Sequence, residues 1–104
     1  MNSALTIAKF GGTSVANYQA MSACASIIAQ QNDTRVVVVS ASAGVTNHLV
    51  SLCHEELNAE QIDNIIAQIS TIQYAIEKHL PENTTRTDTL KGLIDELTLL
   101  AKQP

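Results

Sequence analysis

The chemistry in this chain gathers in one short stretch. "KFGGTS", residues 9 to 14, places a cation at Lys9, adjacent glycines at Gly11 and Gly12, and hydroxyls at Thr13 and Ser14. Residues without a Cβ let main-chain N–H groups approach a ligand closely, and such amides suit phosphate oxygens. A helix starting just downstream adds the positive end of its dipole. A lysine beside bare backbone is therefore an anion site in outline. It is not a Walker loop, in which the lysine follows the glycines, and the GxGxxG pattern is absent. On residue chemistry alone, a tight turn with a solvated lysine accounts for the stretch as well. A second loop, "SASAGVTN" at 40 to 47, offers the hydroxyls of Ser40, Ser42 and Thr46. Serine and threonine favour loops and caps in any case, and Ser42 is read that way.

Both loops follow segments that read as strands. "ALTIA" (4 to 8) is a short buried strand ending at Lys9, and "RVVVVS" (35 to 40) is an almost fully apolar, β-branched run. Such a run marks a strand covered on both faces, as in parallel sheets. Between them, residues 17 to 31 predict a helix capped by Asn17, with Ala20, Met21, Cys24, Ile27 and Ile28 on its inner face. Strand, helix and strand form a βαβ unit with a right-handed crossover. In open α/β sheets ligands bind beyond the carboxyl ends of the strands, where both loops lie.

Three helices are expected next. "VTNHLVSLCHEEL" (45 to 57) is the first, and Asn58 with Gln61 forms a capping box for the second. Ile62, Ile65, Ile66, Ile69, Ile72 and Ile76 share one face of that helix, which Pro81 stops. Thr85 and Asp88 form the next cap pair, and Leu90, Leu93, Ile94, Leu97 and Leu100 line the last helix. The fold class is therefore α/β, a βαβ unit followed by three helices. Two strands are too few for a doubly covered parallel sheet, so the chain reads as the start of a larger, incomplete domain.

Composition narrows the function. With 45% hydrophobic and 15% charged residues the chain is globular, and 3% aromatic content leaves the core to Ile, Leu, Val and Ala. A net charge of −4 argues against nucleic acid and against an anionic membrane surface. No apolar run approaches the roughly 18 residues of a spanning helix, and Lys9 interrupts any signal-peptide pattern. Cys24 and Cys53 lack CxxC spacing and are read as small buried hydrophobes in a reducing cytoplasm. His48 and His54 fall on different faces of one expected helix, which disfavours a metal pair, and no residue is assigned to a metal. His79 suits a helix C-terminus, and Glu55 and Glu56 a solvated face.

"KFGGTSVAN" followed by "VVVVSASAGVTNHLV" closely resembles the N-terminus of aspartokinases, in the amino-acid kinase superfamily. The likeness is strong over residues 5 to 50 and looser through the helices, and the "SASAGVTN" form is most similar to the lysine-sensitive, monofunctional branch. The resemblance implies a carbamate kinase-like αβα sandwich, of which residues 1–50 hold both substrate loops and 51–104 a helical segment. It implies ATP-dependent phosphorylation of the L-aspartate side-chain carboxylate to 4-phospho-L-aspartate, the first step towards lysine, threonine and methionine. Lys9 would contact the transferring phosphoryl group as the catalytic residue. Lys9, Gly11, Gly12 and Ser14 would hold the ATP phosphates, Ser40 and Thr46 would bind aspartate, and Mg²⁺ would accompany the nucleotide. The sequence departs from the family in length: Pro104 precedes the positions that bind the adenosine and the aspartate amino and α-carboxylate groups. The expectation is an inactive fragment that forms a homo-oligomer in the cytoplasm. The alternatives are a non-catalytic phosphate-binding or helical interaction module, and the kinase part of a bifunctional aspartokinase–homoserine dehydrogenase.

Overall fold

The computed structural model describes residues 5–54 and 56–103. In chain order these form β1 (Thr6–Phe10), a 3-10 turn (Gly12–Val15), α1 (Tyr18–Ala29), β2 (Thr34–Val39), α2 (Val45–Leu52), α3 (Ala59–Glu77) and α4 (Thr84–Ala101). They divide into two compact units, one ending at Gly44 and one beginning at Val45.

In the first unit β1 and β2 pair in parallel, from Ile7 opposite Val36 to Phe10 opposite Val39, with an irregularity between Thr6 and Ile7. The Thr6 amide donates to the Asp33 carbonyl at 3.0 Å and the Thr6 hydroxyl to the Asp33 carboxylate at 2.9 Å, which pins the start of the pair. Asn17 caps α1 as expected, its side chain accepting the Ala20 N–H at 2.9 Å. The inner face of α1 is narrower than its sequence suggests. Cys24 is buried and Ala20 and Ile28 are half-buried, but Met21 and Ile27 are exposed. The expected cover over β2 is also missing, since Val36 to Val39 are 41–62% exposed. A two-stranded sheet offers one helix too little width, and its valines face outward on both sides. Ala4 of the expected first strand lies outside the described residues.

In the second unit α2 stops at Leu52, short of the expected Leu57. The capping box explains the break. Asn58 is extended (φ −86°, ψ 171°), its side chain accepts the Gln61 N–H at 2.8 Å, and the Gln61 side chain accepts the Asn58 N–H at 2.9 Å. A chain that must arrive extended at a new N-cap leaves its previous helix first. Cys53 is therefore exposed rather than buried. His54 sits past the helix end, so the two-face argument for His48 and His54 does not apply, and Glu56 is exposed in a turn. Glu55 lies outside the described residues.

The isoleucine stripe forms as read: Ile62, Ile66, Ile69 and Ile76 are buried and Ile65 and Ile72 half-buried. α3 ends at Glu77, before Pro81, and the His79 N–H closes its last turn on the Ile76 carbonyl at 3.2 Å. α4 is capped by Asn83, whose side chain accepts the Arg86 N–H at 2.9 Å, and not by Thr85, which lies inside the helix. In this register Arg86 donates to the Pro81 carbonyl and to Glu77 at 3.3 Å, and the Thr87 hydroxyl donates to Glu77 at 2.7 Å. This clasp closes one end of the α3–α4 hairpin, and Lys102 with Asp63 at 2.7 Å ties the two helices again further along. Of the α4 stripe only Leu90, Ile94 and Leu97 are half-buried, while Leu93 and Leu100 are exposed, because one neighbouring helix covers one side of the stripe. Asn83→Ala should cost about 0.5–2 kcal/mol in urea unfolding and Thr85→Ala no more than about 0.5. Equal losses from the two would return the cap to Thr85.

Candidate functional site

Lys9 projects outward from β1, whose residues alternate between exposed and half-buried. Parallel pairing sets Lys9 opposite Val38 and Phe10 opposite Val39, so both strands end at the same edge. The pairing continues into the loops. The Ser40 N–H donates to the Phe10 carbonyl and the Ala43 N–H to the Gly12 carbonyl, each at 3.2 Å.

Between these ties the 3-10 turn presents its free end. Gly11 is extended (φ −77°, ψ 178°), and its carbonyl accepts the Ser14 N–H at 3.1 Å. The amides of Gly11, Gly12 and Thr13 donate to no protein acceptor among the described residues. Among the same residues Lys9 has no carboxylate partner, the ion pairs being Arg86–Glu77, Lys91–Asp95 and Lys102–Asp63. A cation without a counterion beside three undirected donors is suited to an anion with several oxygens. The turn is held from below: Val15 is buried, and the Cys24 thiol of α1 donates to the Ser14 carbonyl at 3.3 Å.

Lys9, Gly11, Gly12, Ser14 and Ser40 thus share the carboxyl edge of one sheet. Thr46 belongs to the second unit, exposed in the first turn of α2. Gly44 precedes that helix with φ 89°, a left-handed conformation that strains other residues. Three contributors are not evident from residue types: the 3-10 turn, the Ala43 amide and the Cys24 thiol. The small residues of "SASAG" were the available signal that main chain rather than side chains would make the second loop's contacts. Among the described residues, no group of three or more His, Cys, Asp and Glu could hold a metal ion.

A model of the Amino acid kinase family matches residues 4–101, and the chain belongs to that family. Within it, the chain corresponds to the N-terminal part of the aspartokinase catalytic domain. Lysine-sensitive aspartokinase 3 of Escherichia coli is 38% identical over 100 residues, covering 96% of this chain and 22% of that protein. The crystal structure of E. coli aspartokinase III in complex with aspartate and ADP matches with a TM-score of 0.90 at 37% identity, over 95% of this chain and 22% of the other. A Haemophilus influenzae protein named "Putative inactive aspartokinase 3" is 66% identical over 50 residues, 48% of this chain and 41% of that one. The match therefore spans less than half the length of each of these relatives, and about a fifth of the E. coli protein.

The two thiols should behave differently, because Cys53 is exposed and Cys24 is buried under the turn. In the native chain an aromatic disulfide reagent should titrate Cys53 promptly and Cys24 only after denaturant is added. Prompt reaction of both would mean that α1 does not hold the turn.

Proposed function

We propose that this chain supplies the phosphate half, and part of the amino-acid half, of an aspartokinase active site. The reaction is transfer of the γ-phosphoryl group of ATP to the side-chain carboxylate of L-aspartate, giving 4-phospho-L-aspartate. The observation that carries the reading is Lys9, without an ion-pair partner among the described residues, next to amides of Gly11, Gly12 and Thr13 that donate to no acceptor among the same residues. Phosphoryl transfer asks a protein for alignment and for positive charge on the transferring oxygens, and these groups supply the charge and position the phosphate side. The space over Gly11, where an added Cβ would meet nothing within 4 Å, leaves room for phosphate oxygens to reach the amides.

In this reading Lys9 is the catalytic residue, and its ammonium meets the charge that develops on the phosphoryl group. Gly11, Gly12 and Ser14 hold the ATP phosphates. Ser40 and Thr46 hydrogen-bond aspartate, Thr46 being assigned on sequence likeness alone. Mg²⁺ would enter with the nucleotide on its phosphate oxygens and neutralise them. Residues 1–50 carry both substrate loops of the catalytic domain, and 51–104 its helical segment. Among the described residues no helix is long and apolar enough to cross a membrane, and we place the reaction in the cytoplasm.

The role of Lys9 can be tested in a chimaera in which this chain replaces the matching 22% of E. coli aspartokinase 3. Lys9→Ala should lower kcat by about two to three orders of magnitude and move aspartate KM little. Lys9→Arg should rescue poorly, because a planar fork does not replace a compact ammonium. Near-normal turnover in Lys9→Ala would overturn the assignment. In the same chimaera Thr46→Ala should raise aspartate KM about two- to tenfold, more than ATP KM, the loss of one uncharged hydrogen bond. A larger shift in ATP KM would move Thr46 to the other ligand.

By itself the 104-residue chain should not phosphorylate aspartate, because alignment needs donors from both halves of a site. It should also form a homo-oligomer, driven by the exposed valines of β2. Light scattering across a dilution series, run beside a coupled kinase assay, checks both. A monomer at high concentration contradicts the second expectation, and measurable turnover contradicts the first.

A further inference from the structure

Gly11 and Gly12 are neighbours in one motif, yet their surroundings differ. An ideal Cβ at Gly12 would lie 3.2 Å from the Ala41 carbonyl oxygen and 3.8 Å from the Cα and N of Ala43, whereas one at Gly11 would meet nothing within 4 Å. The atoms facing Gly12 are all main chain, so no flexible side-chain tip can swing away to make room. Gly12 is not glycine for the sake of its backbone angles either, since Gly44 is the one described residue with a positive φ. What position 12 needs is space, and the second loop fills it.

The loop has little else to hold it. Ser40, Ala41, Ala43 and Gly44 are exposed and Ser42 is half-buried, so no large side chain anchors the segment in a core. Its ties to the first loop are the Ser40 amide on the Phe10 carbonyl and the Ala43 amide on the Gly12 carbonyl, each at 3.2 Å. Ser40 stands at the first tie and Gly12 accepts the second.

We propose that Gly12 is a positioning residue for the amino-acid side of the site: it seats residues 41–43 against the phosphate loop and so fixes Ser40 relative to Lys9. The functional half of this inference rests on the reading above, in which the second loop faces aspartate. The structural half does not. A side chain at Gly12 lifts the second loop, so its effect falls first on aspartate. A side chain at Gly11 enters open space next to the free amides, so its effect falls first on nucleotide phosphates.

The structural half is tested on the full chain by ¹⁵N–¹H NMR. Gly12→Ala should shift the amides of residues 41–44 as well as those of 11–13, and Gly11→Ala should leave 41–44 in place. Shifts from Gly12→Ala that stop within the first loop would overturn the proposal. Should Gly12→Ala fail to fold, hydrogen exchange in the unmodified chain decides: the Ala43 amide should exchange more slowly than those of Ala41 and Gly44, and equal rates would overturn it. In the chimaera, Gly12→Ala should raise aspartate KM about three- to tenfold more than ATP KM, with the opposite split for Gly11→Ala. A Gly12→Ala effect confined to ATP KM would overturn the functional half. If Lys9→Ala keeps its turnover while the NMR shifts spread as expected, the aspartokinase reading fails and the seating of the loop stands.

Discussion

The parallel pairing of β1 with β2 is the constraint on which the rest of the first unit depends. Opposing Lys9 to Val38 and Phe10 to Val39 brings two loops out of the same edge. A slip of one residue would turn Lys9 to the other face, because side chains alternate along a strand. The Thr6–Asp33 bonds resist that slip at one end, and the Ser40–Phe10 and Ala43–Gly12 bonds resist it at the other. The proposed anion site is thus an extension of the sheet's hydrogen bonding beyond its last residues. The amides that the extension leaves over are those we propose for the phosphates.

The parts of this arrangement that could be read in advance are those with a local cause. Four successive valines have one common use, a strand. Asn17 and the Asn58–Gln61 pair satisfy amides three residues away, and the isoleucines of α3 repeat at the helical period. The misreadings share a different cause, a competitor elsewhere in the chain. Thr85 and Asp88 make a sound cap on paper, but Asn83 wins because its register lets Arg86 reach Glu77 and Pro81. Cys53 continues an apolar pattern, but the extended approach to Asn58 takes it out of the helix. At the site, lysine and glycines were visible as types. That Gly12 must also leave space for the second loop, and Gly11 need not, depends on residues 41 and 43, far along the chain.

The same contrast separates the two units. The helical unit buries the isoleucine stripe of α3, leaves Leu93, Leu99 and Leu100 of α4 exposed, and closes its hairpin with a clasp around Arg86. The first unit keeps valines exposed on both faces of β2 and isoleucine exposed on β1. The match covers 22% of the E. coli protein, so 78% of that relative lies outside it. The proposed anion site, built from main-chain amides, needs no apolar cover, because hydrogen bonds within the unit hold its loops.

The central claim is that Lys9 and the free amides of the 3-10 turn bind phosphate. Titration of the ¹⁵N-labelled full chain with ADP, followed amide by amide, tests it most directly. The expected result is a saturable shift at Gly11, Gly12 and Thr13 that Lys9→Ala abolishes while the rest of the spectrum stays folded. Saturable shifts confined to the helical unit, or shifts at the turn unchanged in Lys9→Ala, would contradict it.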